Sequence, residues 1–189
     1  MSTDAPLSNS AAAVLGMVAL GAQSGYDVRQ AAERSLRFFW ALGPPQIYSE
    51  LRRLEDAGLL AGTDDARGRR PRRVFTVTDA GHAALRIWLT TGEPTAMELR
   101  DSELLRLFFA DALAPDEALA RVAIVRERSV RALELFDREI LPAAARTRES
   151  GAEFPELIAG FGRELHEFIV GWSERLEEHI SSADRPASR

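Results

Sequence analysis

The sequence predicts a mainly α-helical fold in two parts. Residues 1–91 read as a winged helix-turn-helix, α with a small β-hairpin wing, and residues 92–189 as an all-α dimerisation domain. Three observations lead there. Gly43 to Leu60 has one apolar stripe at helical spacing and a polar outer face. The arginine-rich turn Arg67-Gly68-Arg69-Arg70-Pro71-Arg72-Arg73 follows and runs into the strand-like Val74-Phe75-Thr76-Val77-Thr78. Beyond residue 92 there is no strand pattern, only apolar stripes at steps of three and four.

The elements follow in order. Met1 to Leu7 reads as a loose arm, and Ser8 or Ser10 caps a first helix through Val14, Leu15 and Val18 to Leu20. Gly21 stops it, and Ser24-Gly25 opens a second helix with Val28, Ala32 and Leu36 as apolar positions. Phe38-Phe39-Trp40 reads as core packing at a connection. Gly43-Pro44-Pro45 starts the third helix, since proline is tolerated in a first turn. Ile47, Leu51 and Leu54 form its buried stripe, while Gln46, Ser49, Glu50 and Arg53 share a polar face. Leu59–Gly62 and Arg73–Thr78 are the arms of a hairpin joined by ten polar residues, and Asp79 caps a helix over 80–89. Gly92, Pro94 and Thr95 mark a linker.

In the second half, Glu98 to Leu113 reads as one amphipathic segment. A helix opening at Pro115-Asp116-Glu117 continues to Pro142, and a last one covers about 155–180. Phe161, Leu165, Phe168, Trp172 and Leu176 form a stripe on that last helix which a monomer would expose, so a homodimer is expected to cover it.

Composition narrows the function. At 189 residues with 46% hydrophobic content, the chain can bury a core. It has no cysteine, which excludes disulfides, thiolate metal sites and cysteine nucleophiles. The apolar run from Ala11 to Ala22 is too short for a membrane span, and no basic segment precedes it, so the expected location is the cytoplasm. Net charge is −5, but it is unevenly spread: residues 1–91 carry eleven arginines against nine acids, and residues 92–189 thirteen against twenty. Five arginines fall between Arg67 and Arg73.

A cationic wing beside a polar helix face fits double-stranded DNA, with the helix in a major groove and the wing on backbone or minor groove. Gln46, Ser49 and Arg53 are then base-edge candidates, and Tyr48 and Arg52 flank them at phosphate reach. Arg69, Arg70 and Arg72 are the wing candidates. No catalytic constellation or glycine-rich phosphate loop accompanies them. His82, His166 and His179 are scattered without ligand spacing, the latter two on expected solvated faces, so neither an enzyme, a metal nor a cofactor is expected. Trp88 and Trp172 are candidates to flank an effector pocket between the halves, against the plainer reading of core packing. The rival to DNA binding is a winged-helix module acting mainly through protein contacts, for which five wing arginines have no use.

At these residues the chain resembles the PadR family of bacterial transcription regulators. The resemblance lies in Leu15-Gly16-Met17-Val18-Ala19-Leu20-Gly21, Ser24-Gly25-Tyr26-Asp27-Val28, Phe39-Trp40, Gln46-Ile47-Tyr48, Arg53-Leu54-Glu55, Gly58-Leu59 and the run from Arg72 to Gly81. Pro45, Ser49 and Gly43 depart from the residues common in that family. The second half resembles the subfamily with a virulence-activator-like C-terminal domain, through Glu103-Leu104-Leu105-Arg106-Leu107-Phe108-Phe109-Ala110-Asp111. The resemblance implies a homodimer that binds an inverted-repeat operator as a repressor and is released by a small molecule, here expected to be hydrophobic or aromatic.

Overall fold

The structure, a computed structural model, describes residues 7–65, 72–93, 96–149 and 151–183. Its contacts divide the chain into two compact units, residues 1–95 and 96–189.

In the first unit, α1 (Asn9–Ala19) is capped by Ser8, whose hydroxyl accepts the Ala11 N–H at 3.2 Å. Ala11, Val14, Leu15 and Val18 are all buried, as suits a helix that other elements surround. α2 (Gly25–Arg34) opens with a reciprocal capping box. Ser24 Oγ accepts the Asp27 N–H at 3.2 Å, and Asp27 Oδ2 accepts the Ser24 N–H at 3.0 Å. A short 3-10 turn (Leu36–Phe38) leads towards α3 (Pro44–Asp56). Phe39 and Trp40 are exposed here. Phe38 is half-buried, so the expected core packing of that cluster does not extend to its other two members.

α3 ends in a Schellman arrangement. Leu59 N–H donates to Leu54 O and Gly58 N–H to Glu55 O, both at 2.9 Å. Gly58 has φ +71, a left-handed conformation that side chains resist. The reversal delivers the chain into β1 (Leu60–Asp65), which pairs antiparallel with β2 (Arg72–Val77) from Leu60↔Val77 to Asp65↔Arg72.

The ladder is longer than the sequence predicts. Asp64 and Asp65 lie directly opposite Arg73 and Arg72, and opposite charges across a strand pair extend it. Arg72 therefore stands on a strand rather than on the connecting loop. One further bond, Phe75 N–H to Gln23 O at 2.7 Å, fastens β2 to the segment between α1 and α2. α4 (Asp79–Thr90) is capped by Thr78, not Asp79; the Thr78 hydroxyl accepts the Gly81 N–H at 3.0 Å. Gly81 packs against the Leu59 carbonyl so closely that any Cβ there would collide with it.

The second unit is built from α5 (Ser102–Phe108), α6 (Pro115–Leu135), α7 (Leu141–Glu149) and α8 (Phe154–Ala183). The amphipathic segment over 98–113 is shorter than expected as a helix. Asp101 caps α5 by accepting the Glu103 and Leu104 N–H groups, so the helix begins there, and a 3-10 turn (Ala110–Ala112) follows it.

Pro142 does not end the helical run as expected. A π turn (Phe136–Ile140) precedes it, in which Leu141 N–H reaches back to Phe136 O. That wider turn shifts the bonding by one residue just before the proline, whose ring would otherwise crowd the carbonyl four residues back.

α6 and α8 pack along their lengths, burying Val122, Val125 and Ala159 together with Phe136 from the π turn, and Ser129 and Ser173 are also fully enclosed. The Phe136 ring occupies the space where a Cβ of Gly162 would lie, 2.7 Å from its Cζ. His166, expected on a solvated face, is instead half-buried. Its Nδ1 lies 3.3 Å from Ser129 Oγ, and its ring centroid is 5.8 Å from that of Phe136.

Burial, and secondarily the nearby Arg128 guanidinium, push the His166 pKa below the ordinary imidazole value of 6.5. A depressed histidine pKa means the folded state holds fewer protons than the unfolded one, so stability falls as pH drops below that value. Thermal melts should therefore show the second unit losing stability on going from pH 7 to pH 5. A His166→Asn variant should have a flatter pH profile over the same window.

Candidate nucleic-acid interface

The site is organised by what α3 buries. Ile47, Leu51 and Leu54 are at most 2% exposed and join Val14, Leu15, Val18 and Val28 in one core. At about 1.5–3 kcal/mol for each fully buried aliphatic side chain, these three hold α3 in one rotational setting. The remaining α3 positions then have fixed directions.

Gln46, Tyr48, Ser49, Arg52 and Arg53 are exposed as expected. They are not equivalent. Gln46 Nε2 donates to Ser10 Oγ at 2.7 Å, which ties the start of α3 to the first turn of α1. Ser49 Oγ donates to the Gln46 carbonyl at 2.9 Å. The Tyr48 ring covers Gly25, where a Cβ would collide with it, so one edge of the ring rests against the N-terminus of α2.

Glu50 departs from its expected place on the outer face. It is buried, and its Oε1 accepts from Arg53 Nη1 at 3.3 Å while Arg53 remains 75% exposed. At one residue from Leu51 and three from Ile47, position 50 is carried under the edge of α3. Arg52 has no ion-pair partner among the described residues.

The described wing residues carry a second cluster. Arg72 Nε lies 3.5 Å from Asp65 Oδ2. Arg73 donates from Nε and Nη2 to Glu55 and from Nη1 to Asp64 Oδ1 at 2.8 Å. Hydrogen bonding from Arg73 holds the Glu55 carboxyl below its ordinary value. Sequence reasoning placed Arg73 in the arginine cluster without its partners, which only the strand register reveals. Arg69 and Arg70, the other wing candidates, lie outside the described residues.

Trp88 and Trp172 belong to different units. Trp88 is half-buried, with Nε1 donating to Asn9 Oδ1 at 3.3 Å. Trp172 is half-buried on α8. Surface clefts of about 250 and 320 Å³ flank α6, one walled by Arg126, Glu127, Val130 and Arg131 and the other including Leu113, Arg121 and Ile124; neither wall contains a tryptophan.

A buried-stripe helix that presents polar and cationic side chains beside a two-stranded antiparallel hairpin defines a winged helix-turn-helix. Residues 14–87 match the model of the Transcriptional regulator PadR-like family. The negative transcriptional regulator PadR of Bacillus subtilis is 32% identical over 107 residues, covering 56% of this chain and 59% of the relative. The chain thus spans about three fifths of that curated relative's length.

Solved structures share the fold. Bacillus subtilis PadR in complex with operator DNA superposes with TM-score 0.76 at 24% identity, over 90% of this chain and 98% of that one. The same Bacillus protein with p-coumaric acid gives 0.68 at 24%, over 93% and 98%. The Vibrio cholerae virulence activator AphA gives 0.68 at 17%, over 93% and 99%.

Arg52 and Arg53 can be told apart by stability. Arg53→Ala strands the buried Glu50 carboxylate and should cost the first unit about 1–3 kcal/mol in denaturant unfolding. Arg52→Ala, which leaves no buried partner behind, should change stability by less than about 0.5 kcal/mol.

Proposed function

We propose that the chain is a sequence-specific DNA-binding transcriptional regulator, a cytoplasmic homodimeric repressor of an inverted-repeat operator. On this reading residues 1–91 bind DNA and residues 92–189 dimerise. The observation that carries it is the outer face of α3, where Tyr48, Ser49, Arg52 and Arg53 are exposed together because Ile47, Leu51 and Leu54 are not. Phosphates would be met by Arg52, Tyr48 and the wing arginines Arg69, Arg70 and Arg72, and bases by Gln46, Ser49 and Arg53. Gln46 must exchange its bond to Ser10 for one to a base, which makes it the least prepared of the three.

Two supports come from outside the site. The curated relative is a negative regulator, and its structures include one with operator DNA and one with p-coumaric acid. A hydrophobic aromatic effector is proposed on that likeness, with Trp88 and Trp172 as the candidate contacts. No helix among the described residues is long and apolar enough to cross a membrane.

The test is fluorescence anisotropy with a duplex from the protein's own upstream region. Removing one arginine from a phosphate should reduce the slope of log affinity against log salt by about 0.9. Arg69→Ala with Arg70→Ala should flatten the slope by nearly twice that for every sequence tried, and an unchanged slope removes the wing from the interface. Adding p-coumarate and related aromatic acids to the same complex tests effector release. Anisotropy that stays constant at saturating acid excludes that class.

The dimer has its own support. Phe154, Leu157, Ile158, Phe161, Leu165 and Phe168 are exposed along α8 at steps of three and four, a continuous apolar stripe. A two-fold pairing would set two α3 helices about 34–36 Å apart, one turn of DNA, or a multiple of that spacing. Light scattering should give twice the 20.8 kDa chain mass at micromolar concentration, and Phe168→Glu should return the value to 20.8 kDa.

A further inference from the structure

Arg73 is the one arginine among the described members of the 67–73 run that joins three different pieces of backbone. Its guanidinium takes the Glu55 carboxylate from the last turn of α3, with Nε at 3.0 Å from Oε2 and Nη2 on Oε1. It takes Asp64 from β1 with Nη1, while Arg73 itself stands on β2. The Gly62 backbone N–H also donates to Glu55. Position 62 has no room for a side chain: a Cβ there would collide with Glu55 Oε1 and lie 2.7 Å from Arg73 Nε. The hairpin thus has a glycine where the ion pair needs space.

We propose that Glu55, Gly62 and Arg73 form a clamp that fixes the wing against the recognition helix, with Arg73 acting as a positioning residue and not as a phosphate ligand. The inference rests on the DNA-binding reading above and adds a division of labour within the arginine run.

Sign and geometry both support it. Arg73 is matched by two carboxylates, so the cluster carries a net negative charge. Beside a phosphate-binding surface such a cluster lowers affinity by charge alone, so its contribution must be geometric. A lone exposed pair contributes little, but a guanidinium donating through two nitrogens to one carboxylate and through its third to another is far more directional. It spans α3 and both strands, so the direction of Arg72 at the far end of the ladder depends on it.

Four full-length variants test this in the anisotropy assay. Glu55→Gln removes a negative charge, and by charge alone it should tighten DNA binding. The clamp demands the opposite: affinity falls about tenfold and the salt slope flattens by roughly one unit as the wing drops away from a phosphate. Gly62→Ala, which changes no charge, should do the same by wedging the pair apart. Asp64→Asn leaves the Glu55 bonds in place and should bind at least as tightly as the parent. Exchanging the pair in an Asp64→Asn background, Glu55→Arg with Arg73→Glu, so that the new carboxylate at 73 meets no like charge, should recover part of the affinity that Glu55→Gln forfeits. Unchanged or tighter binding by both Glu55→Gln and Gly62→Ala overturns the proposal.

Amide hydrogen exchange separates this failure from failure of the DNA reading. Faster exchange of the β1 and β2 amides in Glu55→Gln, with α1 and α3 amides unchanged, supports the clamp even if the parent binds no duplex. Identical hairpin exchange in parent and variant refutes it.

Discussion

The arrangement of the first unit depends on three aliphatic side chains, Ile47, Leu51 and Leu54, sealed against α1. A helix buried along one stripe cannot rotate without exposing that stripe, and the hydrophobic cost of doing so exceeds any single surface contact by several-fold. Everything proposed for the outer face is a consequence. Tyr48, Ser49, Arg52 and Arg53 are presented together because the opposite side has no alternative. The same constraint places Glu50 under the edge of the helix, where it holds Arg53 by one charge-assisted bond and so limits the directions that arginine can take.

The second constraint is where the helix stops. Gly58 reverses the chain in a left-handed conformation, and the Leu59 carbonyl then accepts from the Thr78 N–H at 3.1 Å while Gly81 packs beneath it. The end of α3, the start of β1 and the start of α4 therefore meet at one point, with glycine at 58, where the backbone is left-handed, and at 81, where a Cβ cannot fit. The hairpin leaves that junction in a set direction, and Phe75 adds a single backbone bond to Gln23. Register does the rest. With Leu60 opposite Val77, Asp64 and Asp65 must face Arg73 and Arg72.

Much of this was legible in the sequence. Periodicity revealed α3 and its two faces, because buried positions at i, i+4 and i+7 leave a strong signal. Ser24 marked the start of its helix because a serine before an apolar-periodic run is a natural cap. What stayed hidden depends on partners distant in sequence. The destination of Glu50 is decided by how deeply α3 sits against α1. Arg73 looks like any other wing arginine until the register brings Asp64 and Glu55 to it. In the second unit, Pro142 read as a stop because the π turn that tolerates it leaves no mark in composition. His166 looked solvated because Ser129 and Phe136, which flank it, come from elements about thirty residues earlier.

The arginine run illustrates why a count of cations is a poor guide to affinity for a polyanion. Of the described members, Arg72 faces Asp65 and Arg73 faces two carboxylates, so neither presents a full free charge. Counterion release depends on cations that meet phosphate, not on cations already matched within the protein. The ladder thus converts part of a cationic segment into a rigid support: Arg73 is engaged within the protein, Arg72 must release Asp65 before it can meet a phosphate, and Arg52 has no ion-pair partner among the described residues. Charge is divided in the same sense at the level of the chain. The acidic excess lies wholly in residues 92–189, where on the proposed function it would disfavour unspecific contact of that half with DNA and leave recognition to the half that carries α3.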